Sequence, residues 1–233
     1  MYRIEDHVLI CLGNDGGFEA WSIIPSLAER AWTATDAERP FAWHHLVMAV
    51  GNFKRDARIR LQLDIELPVD HVDRGQQPFV LPDGEHIEAS DPDTWQTLID
   101  LKGLGIATTS AILAALWPTH HAVIDRRSRN AFVALQLLQE GKSPILEAHG
   151  IDPDKKGDRT ALGDPTLPQY EQYRRALADE VGGRAAIRLM DVERALYSLE
   201  QRVSRLPETG RSWREYSHEF GQVIADAAIE YAE

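Results

Sequence analysis

The sequence predicts a mostly α-helical protein with a minor β element near residues 58–67. Two observations predict the helices and a third the strand. Leu189, Val192, Leu196, Leu199 and Val203 recur at steps of three and four, and Trp213, Tyr216, Phe220, Val223 and Ala227 repeat that rhythm, which lines one helix face with apolar groups. Helix-start residues stand where apolar runs begin, at Ser90-Asp-Pro-Asp93 and at Asp125. A single stretch, Arg58-Ile-Arg-Leu-Gln-Leu-Asp-Ile-Glu-Leu67, instead alternates polar and apolar residues without a break, the period of a strand.

In chain order, residues 17–33 read as a helix that Pro25 kinks or interrupts, and residues 40–50 as a second. After the strand, residues 68–92 hold four prolines and two glycines and read as a loop-rich connection. Ser90 is placed to cap the next helix. Pro92 suits its first turn, and Asp91 and Asp93 favour the positive end of its dipole. That helix runs through Trp95 to about Leu101. A glycine turn leads into Ile106–Leu116, which Pro118 stops. Asp125 stands at the cap position of a helix over Arg126–Leu138. Residues 141–168 read as a long loop, Tyr170–Glu180 as a helix ended by Gly182-Gly183, and the two amphipathic helices close the chain. Three regions follow: 1–89, helical with the β element; 90–140; and 141–233, helices that pack back on the core.

The chain has 233 residues, 43% of them hydrophobic and 27% charged, which fits a globular protein with a sizeable core rather than a disordered one. Cys11 is the single cysteine. This excludes a disulfide scaffold, a four-cysteine zinc site and a cysteine-bound iron–sulfur cluster, and suits a reducing compartment. No run of 18 apolar residues offers a membrane span. Glu5 and Asp6 stand where a signal peptide is basic, so a cytoplasmic location is expected. The formal net charge is −12, but it is unevenly spread. Residues 61–100 carry ten acids and one base, whereas 51–60 and 101–142 are each net +3. An acidic chain with one cationic face and an acidic chain with ordinary basic islands both fit.

The segment Leu101-Lys-Gly-Leu-Gly-Ile-Ala-Thr-Thr-Ser-Ala-Ile-Leu113 carries the most chemistry. Two helices joined by a Gly-x-Gly turn can present backbone N–H groups on one concave surface. Glycines let a ligand approach closely, and the second helix aims its N-terminus at the same point, which suits a phosphate. Gly103, Leu104, Gly105, Ala107 and Thr108 are the candidate DNA contacts. A plain helix cap and turn reads equally well. Further on, Ala122-Val-Ile-Asp125 follows a proline-containing linker and Asp125 opens a helix. Together these resemble the helix-hairpin-helix (HhH-GPD) DNA glycosylase superfamily, whose core reads Leu-Pro-Gly-Val-Gly, then a helix, then a hydrophobic-Val-Asp step into another helix. Twenty-four positions separate Leu101 from Asp125, the spacing of the endonuclease III branch. The resemblance covers about 90–140. Asp191-Val-Glu-Arg-Ala-Leu-Tyr197 looks like bacterial 8-oxoguanine glycosylase-like proteins. The first 60 residues match nothing known to us.

The resemblance implies a two-lobed helical glycosylase fold, a partner in double-stranded DNA with a damaged or modified base, and Asp125 as the essential carboxylate. Cleaving an N-glycosidic bond develops positive charge on the sugar. A carboxylate beside it stabilises that state and can orient water. The plainer reading of Asp125 is a helix N-cap. Bifunctional members carry a lysine two positions after the second hairpin glycine, where this chain has Ala107, and Lys102 replaces the usual proline. Without that amine no Schiff base forms, so the implied enzyme is monofunctional and leaves an abasic site. Arg126 and Arg127 replace a frequent Thr-His pair. They either grip phosphates or are solvated first-turn residues, and Arg129 is similar.

A base-excising enzyme holds the flipped base between aromatic or apolar groups. Trp43, His45, Phe53 and Lys54 are the pocket candidates, with core packing as the alternative. His44 and His45 are adjacent and make a poor metal pair, and His120-His121 reads as linker. No side-chain metal site and no cofactor are expected, apart from a monovalent cation that the resemblance implies at the hairpin carbonyls. Two other functions remain open: a non-catalytic DNA-binding module built on the same hairpin, and an acidic interaction protein. The base excised, the wedge residue and the oligomeric state are not legible.

Overall fold

The computed structural model describes residues 23–53, 76–101, 104–156, 162, 166–182, 188–203 and 211–232. These residues are mostly helical, with nine helices and one two-stranded sheet among them. They divide into two compact units, with the boundary between Val123 and Ile124. That boundary runs through the segment 90–140 that the sequence treats as one region. The expected strand at 58–67 lies outside the described residues.

The first unit contains α1 (Ile23–Thr33), α2 (Arg39–Phe53), β1 (Phe79–Val80), β2 (His86–Ile87), α3 (Pro92–Asp100) and α4 (Ile106–Leu116). Helix α4 is its centre: Thr109 to Leu116 are all buried, and α1, α2 and α3 pack on it. Ser110, Ala111, Ala114 and Ala115 are small enough to let those neighbours approach on every side, which is why α4 lacks a polar face. The strands pair antiparallel with Phe79 opposite Ile87 and Val80 opposite His86. Phe79 meets the ring edge of Trp32 at 5.0 Å and Trp43 at 5.6 Å, and Trp32 meets Trp117 at 5.8 Å. The Trp117 indole N–H donates to the Gln77 carbonyl at 3.2 Å. One aromatic cluster thus ties the sheet to α1, α2 and the end of α4.

Several expectations change here. The stretch read as a loop at 68–92 contains the hairpin, whose turn is closed by Gly84 at φ 90°, a conformation that favours glycine. Pro25 is the third residue of α1 as described, and residues 17–22, on which the expected kink or interruption depends, lie outside the described residues. Ser90 is not the cap of α3. Asp91 is, its side chain accepting from the Asp93 N–H at 2.8 Å. With Pro92 at the first helical position, the residue before it is held extended, and that residue becomes the cap. His121, read as linker, is buried: its Nε2 lies 2.8 Å from the Ala89 carbonyl, between Trp95 and Trp117.

The second unit contains α5 (Arg126–Glu140), α6 (Pro144–Ala148), α7 (Leu167–Val181), α8 (Leu189–Val203) and α9 (Trp213–Glu230). Helix α5 is central. Residues Ser128 to Leu137 are all buried, with α8 and α9 packed against it and against each other, and α7 against α8. Gly141 ends α5 in the left-handed conformation, φ 74°, its N–H returning to the Leu137 carbonyl. The expected loop at 141–168 contains α6. Helix α7 starts at Leu167 rather than Tyr170 because the Gln169 side chain accepts the Thr166 N–H at 2.9 Å and Pro168 suits the first turn. Trp213, Tyr216 and Phe220 are fully buried on the stripe read from spacing, each contributing on the order of 2–3 kcal/mol.

Candidate functional residues at Asp125 and at the glycine hairpin

Asp125 adopts extended backbone, φ −120° and ψ −178°, and caps α5. Its Oδ1 accepts from the Arg127 N–H at 2.8 Å and the Ser128 N–H at 2.9 Å, with the Ser128 hydroxyl at 3.3 Å. The Asp125 N–H donates back to Ser128 Oγ at 3.1 Å, completing a reciprocal cap. Every bond that the carboxylate accepts falls on Oδ1. Oδ2 accepts no hydrogen bond from the described residues, and the residue is half-buried. The cap therefore orients the carboxylate through one oxygen and leaves the other without a hydrogen-bond donor among the described residues.

The three arginines after Asp125 diverge. Arg126 is exposed and meets no hydrogen-bond or ion-pair partner among the described residues. Arg127 turns inward, and its Nη1 donates to Glu200 Oε2 at 2.8 Å. Its guanidinium lies 5.9 Å from the centre of the Tyr197 ring. Burial works against its charge, but the Glu200 carboxylate, helped by Tyr197 and Asp125, raises its pKa overall. Neither reading of Arg127 from sequence, phosphate grip or solvated residue, foresees this pairing. Arg129 is 2% exposed, so as placed it cannot meet a phosphate. The reason is the position of α5: a helix covered by α8 and α9 turns part of its basic first turn into the interior.

Tyr173 packs edge-on against Phe132 at 4.8 Å, on the face of α5 that carries Asp125 and Ser128. It is fully buried, and burial, then the nearby Glu193 carboxylate, pushes its pKa well above the ordinary phenol value. Its hydroxyl forms no well-aligned hydrogen bond although Ser128 lies beside it. Sequence reasoning missed Glu193, Glu200 and Tyr173. A signal existed for the first two. Leu189, Glu193, Leu196, Glu200 and Val203 follow steps of four and three, so both glutamates stand on an apolar stripe, where a carboxylate needs a partner.

The hairpin lies in the first unit and Asp125 in the second. Lys102 and Gly103 lie outside the described residues, so the monovalent cation implied at the hairpin carbonyls falls on a turn seen only in part. The Leu104 N–H donates to the Leu101 carbonyl at 3.1 Å, and the Thr108 and Thr109 N–H groups share the Gly105 carbonyl at 2.9 Å each. Gly105 is the N-cap of α4, exposed, with no side chain to cap it. The N–H groups of Gly105, Ile106 and Ala107 donate to nothing among the described residues. Gly105 has φ −96° and ψ 169°, which any residue adopts, and a Cβ there would meet nothing within 4 Å. Its value is therefore the close approach it allows, not the torsion the sequence suggests. Leu104, Ala107 and Thr108 are half-buried around it.

The pocket candidates separate. Trp43 is 8% exposed and belongs to the aromatic core. His45 is half-buried, its ring 4.1 Å from that of Phe41, and Phe41 is 58% exposed. Phe53 closes α2, and Lys54 lies outside the described residues. No group of three or more His, Cys, Asp or Glu among the described residues could hold a metal ion. No helix among them is long and apolar enough to cross a membrane. Comparison with protein-family models, with curated proteins and with solved structures finds no match.

Proposed function

We propose that the chain is a monofunctional DNA glycosylase with a two-lobed helix-hairpin-helix fold, acting on a damaged or modified base in double-stranded DNA and located in the cytoplasm. The observation that carries this reading is the Asp125 carboxylate, fixed through Oδ1 with Oδ2 left to a ligand, 24 positions after a glycine hairpin. The uncapped N-terminus of α4, open above Gly105, supports the hairpin as the phosphate contact: backbone donors and a helix dipole hold an anion without any net positive charge on the protein. That resolves how a chain of net charge −12 would bind DNA. Arg126, exposed beside Asp125, supplies one cation.

The chemistry divides among these groups. The hairpin positions the duplex and carries no sequence information. The target nucleotide leaves the stack. Asp125 Oδ2 faces the sugar as its C1′ becomes cationic, the point at which a fixed anion lowers the barrier most. The C1′–N bond breaks with its electron pair going to the base, water adds to C1′ and passes a proton to the carboxylate, and the departed base is neutralised by a proton in turn. Ala107 offers no amine, so the abasic site stays unbroken. The test is incubation with duplexes carrying different lesions, followed by mass analysis of released bases. Release that requires Asp125 supports the reading. Salt-sensitive binding with no base released from any duplex reduces the protein to a DNA-binding module.

A further inference from the structure

Glu200 is 2% exposed and sits at a core-facing position of α8. Replacing Glu200 and Arg127 together by apolar residues of similar volume would commonly cost little stability, whereas removing Glu200 alone strands the Arg127 charge and the Tyr216 hydroxyl. The carboxylate therefore serves something other than packing. It is held at both oxygens: Oε2 accepts from Arg127 Nη1 at 2.8 Å, and Oε1 accepts from the buried Tyr216 hydroxyl at 3.3 Å. Tyr216 lies on α9 and Arg127 on α5, so the three helices of the unit's core converge on this one carboxylate.

Arg127 is two residues from Asp125, and its own backbone N–H holds Asp125 Oδ1. Asp125 also lies within electrostatic reach of the Arg127 guanidinium. A guanidinium carries several donors and pairs with whichever carboxylate is best placed. Apart from Glu200, the carboxylate that acts on the Arg127 guanidinium is Asp125, whose Oδ2 accepts no hydrogen bond from the described residues.

We infer that Glu200 is a positioning residue that keeps Arg127 off Asp125 Oδ2, so that this oxygen stays open to the cation developing on the sugar. Glu200 touches no substrate. It acts by occupying the Arg127 guanidinium, which lies within electrostatic reach of Asp125, while the exposed Arg126 stays in solvent. Arg127 in turn is not a DNA contact, and its charge is cancelled inside the protein. The inference rests on the glycosylase reading of Asp125.

The test uses two duplexes identical except at one nucleotide, which carries either a cationic pyrrolidine azasugar or the neutral tetrahydrofuran abasic analogue. The ratio of their Kd values reports the site's preference for a sugar cation whatever base the enzyme excises. Wild type is expected to favour the cationic duplex by about tenfold or more. Glu200→Gln should lose roughly tenfold of that preference, with neutral-duplex binding unchanged. Adding Arg127→Met to Glu200→Gln should restore the preference to within about twofold. Because removing Arg127 would also relieve a folding defect caused by its stranded charge, Tm is measured alongside, and the effect is expected with Tm of the single and double variants near wild type. If Glu200→Gln does not fold, Glu200→Asp, which draws the charge back by one methylene, should give a smaller loss with the same rescue. A wild-type ratio near one overturns the glycosylase reading and this inference with it. A clear wild-type preference that either Glu200 variant leaves intact, or a loss that Arg127→Met does not relieve, overturns the inference alone.

Discussion

Replacing Asp125 by asparagine separates its two roles. The cap depends on Oδ1, which accepts from two backbone N–H groups at 2.8 and 2.9 Å. Asparagine keeps an oxygen in that position and is as good an N-cap as aspartate, so Asp125→Asn should change stability by less than about 0.5 kcal/mol. Asp125→Ala removes the acceptor and should cost about 1 kcal/mol, a fall in Tm of roughly 2–4 °C for a chain of this size. The chemical effect should be far larger. A unit charge about 4 Å from a sugar cation, at an effective dielectric near 20, is worth about 4 kcal/mol, and each 1.36 kcal/mol of barrier is about tenfold in rate. Asp125→Asn should therefore slow base release by about a thousandfold while Tm and duplex affinity stay near wild type. Single-turnover release from a responsive lesion duplex measures the first, and thermal denaturation and fluorescence anisotropy measure the others. An asparagine variant within tenfold of the wild-type rate would refute the assignment of Asp125 as the reacting carboxylate. The capping role would then be its whole function.

Gly105→Ala has unstrained torsions and open space for its Cβ, so Tm should hold while affinity for damaged and undamaged duplex falls together; unchanged binding in anisotropy would show that the hairpin does not face DNA. Arg126→Ala should weaken binding uniformly and flatten the slope of log K against log salt by about one unit, and an unchanged slope would remove it from the interface. Borohydride should trap no protein–DNA adduct, with strand breaks appearing only after hot alkali, because Ala107 replaces the amine; trapping that vanishes in Lys54→Ala would overturn the monofunctional assignment. The Glu215 carboxyl is held below the ordinary range first by the Ser212 N–H and then by Lys156. Its contribution to stability is therefore present above the unfolded value of roughly pH 4.3 and lost as pH falls through the lower folded value. Glu215→Gln should flatten Tm against pH on that acid side, and an unaltered acid limb would contradict the shift.

Local chemistry alone determined much of this protein. The steps of three and four along Leu189–Val203 and Trp213–Ala227 specified two helices because a helix has only one face to bury. Asp125 was readable as a cap because an N-terminal N–H needs an acceptor nearby in sequence, and the start of α4 after Gly105 was readable because a glycine breaks the preceding helix locally. The cap of α3 was missed by one residue, since Pro92 acts on its immediate neighbour more strongly than the serine preference suggested. What distinguishes Arg126, Arg127 and Arg129 was not available locally. The three look alike in a basic first turn, and their fates depend on which faces of α5 are covered by α8 and α9, helices 60 or more positions away. Only that packing buries Arg129, pairs Arg127 with Glu200 and leaves Arg126 in solvent. Trp43 went to the aromatic core for the same reason: an aromatic side chain suits a base pocket and a core equally, and Phe79, brought in by the β1–β2 hairpin, decides between them. Sequence sets what a residue can do. Long-range burial selects which of those things it does, because desolvation is a property of neighbours and not of spacing.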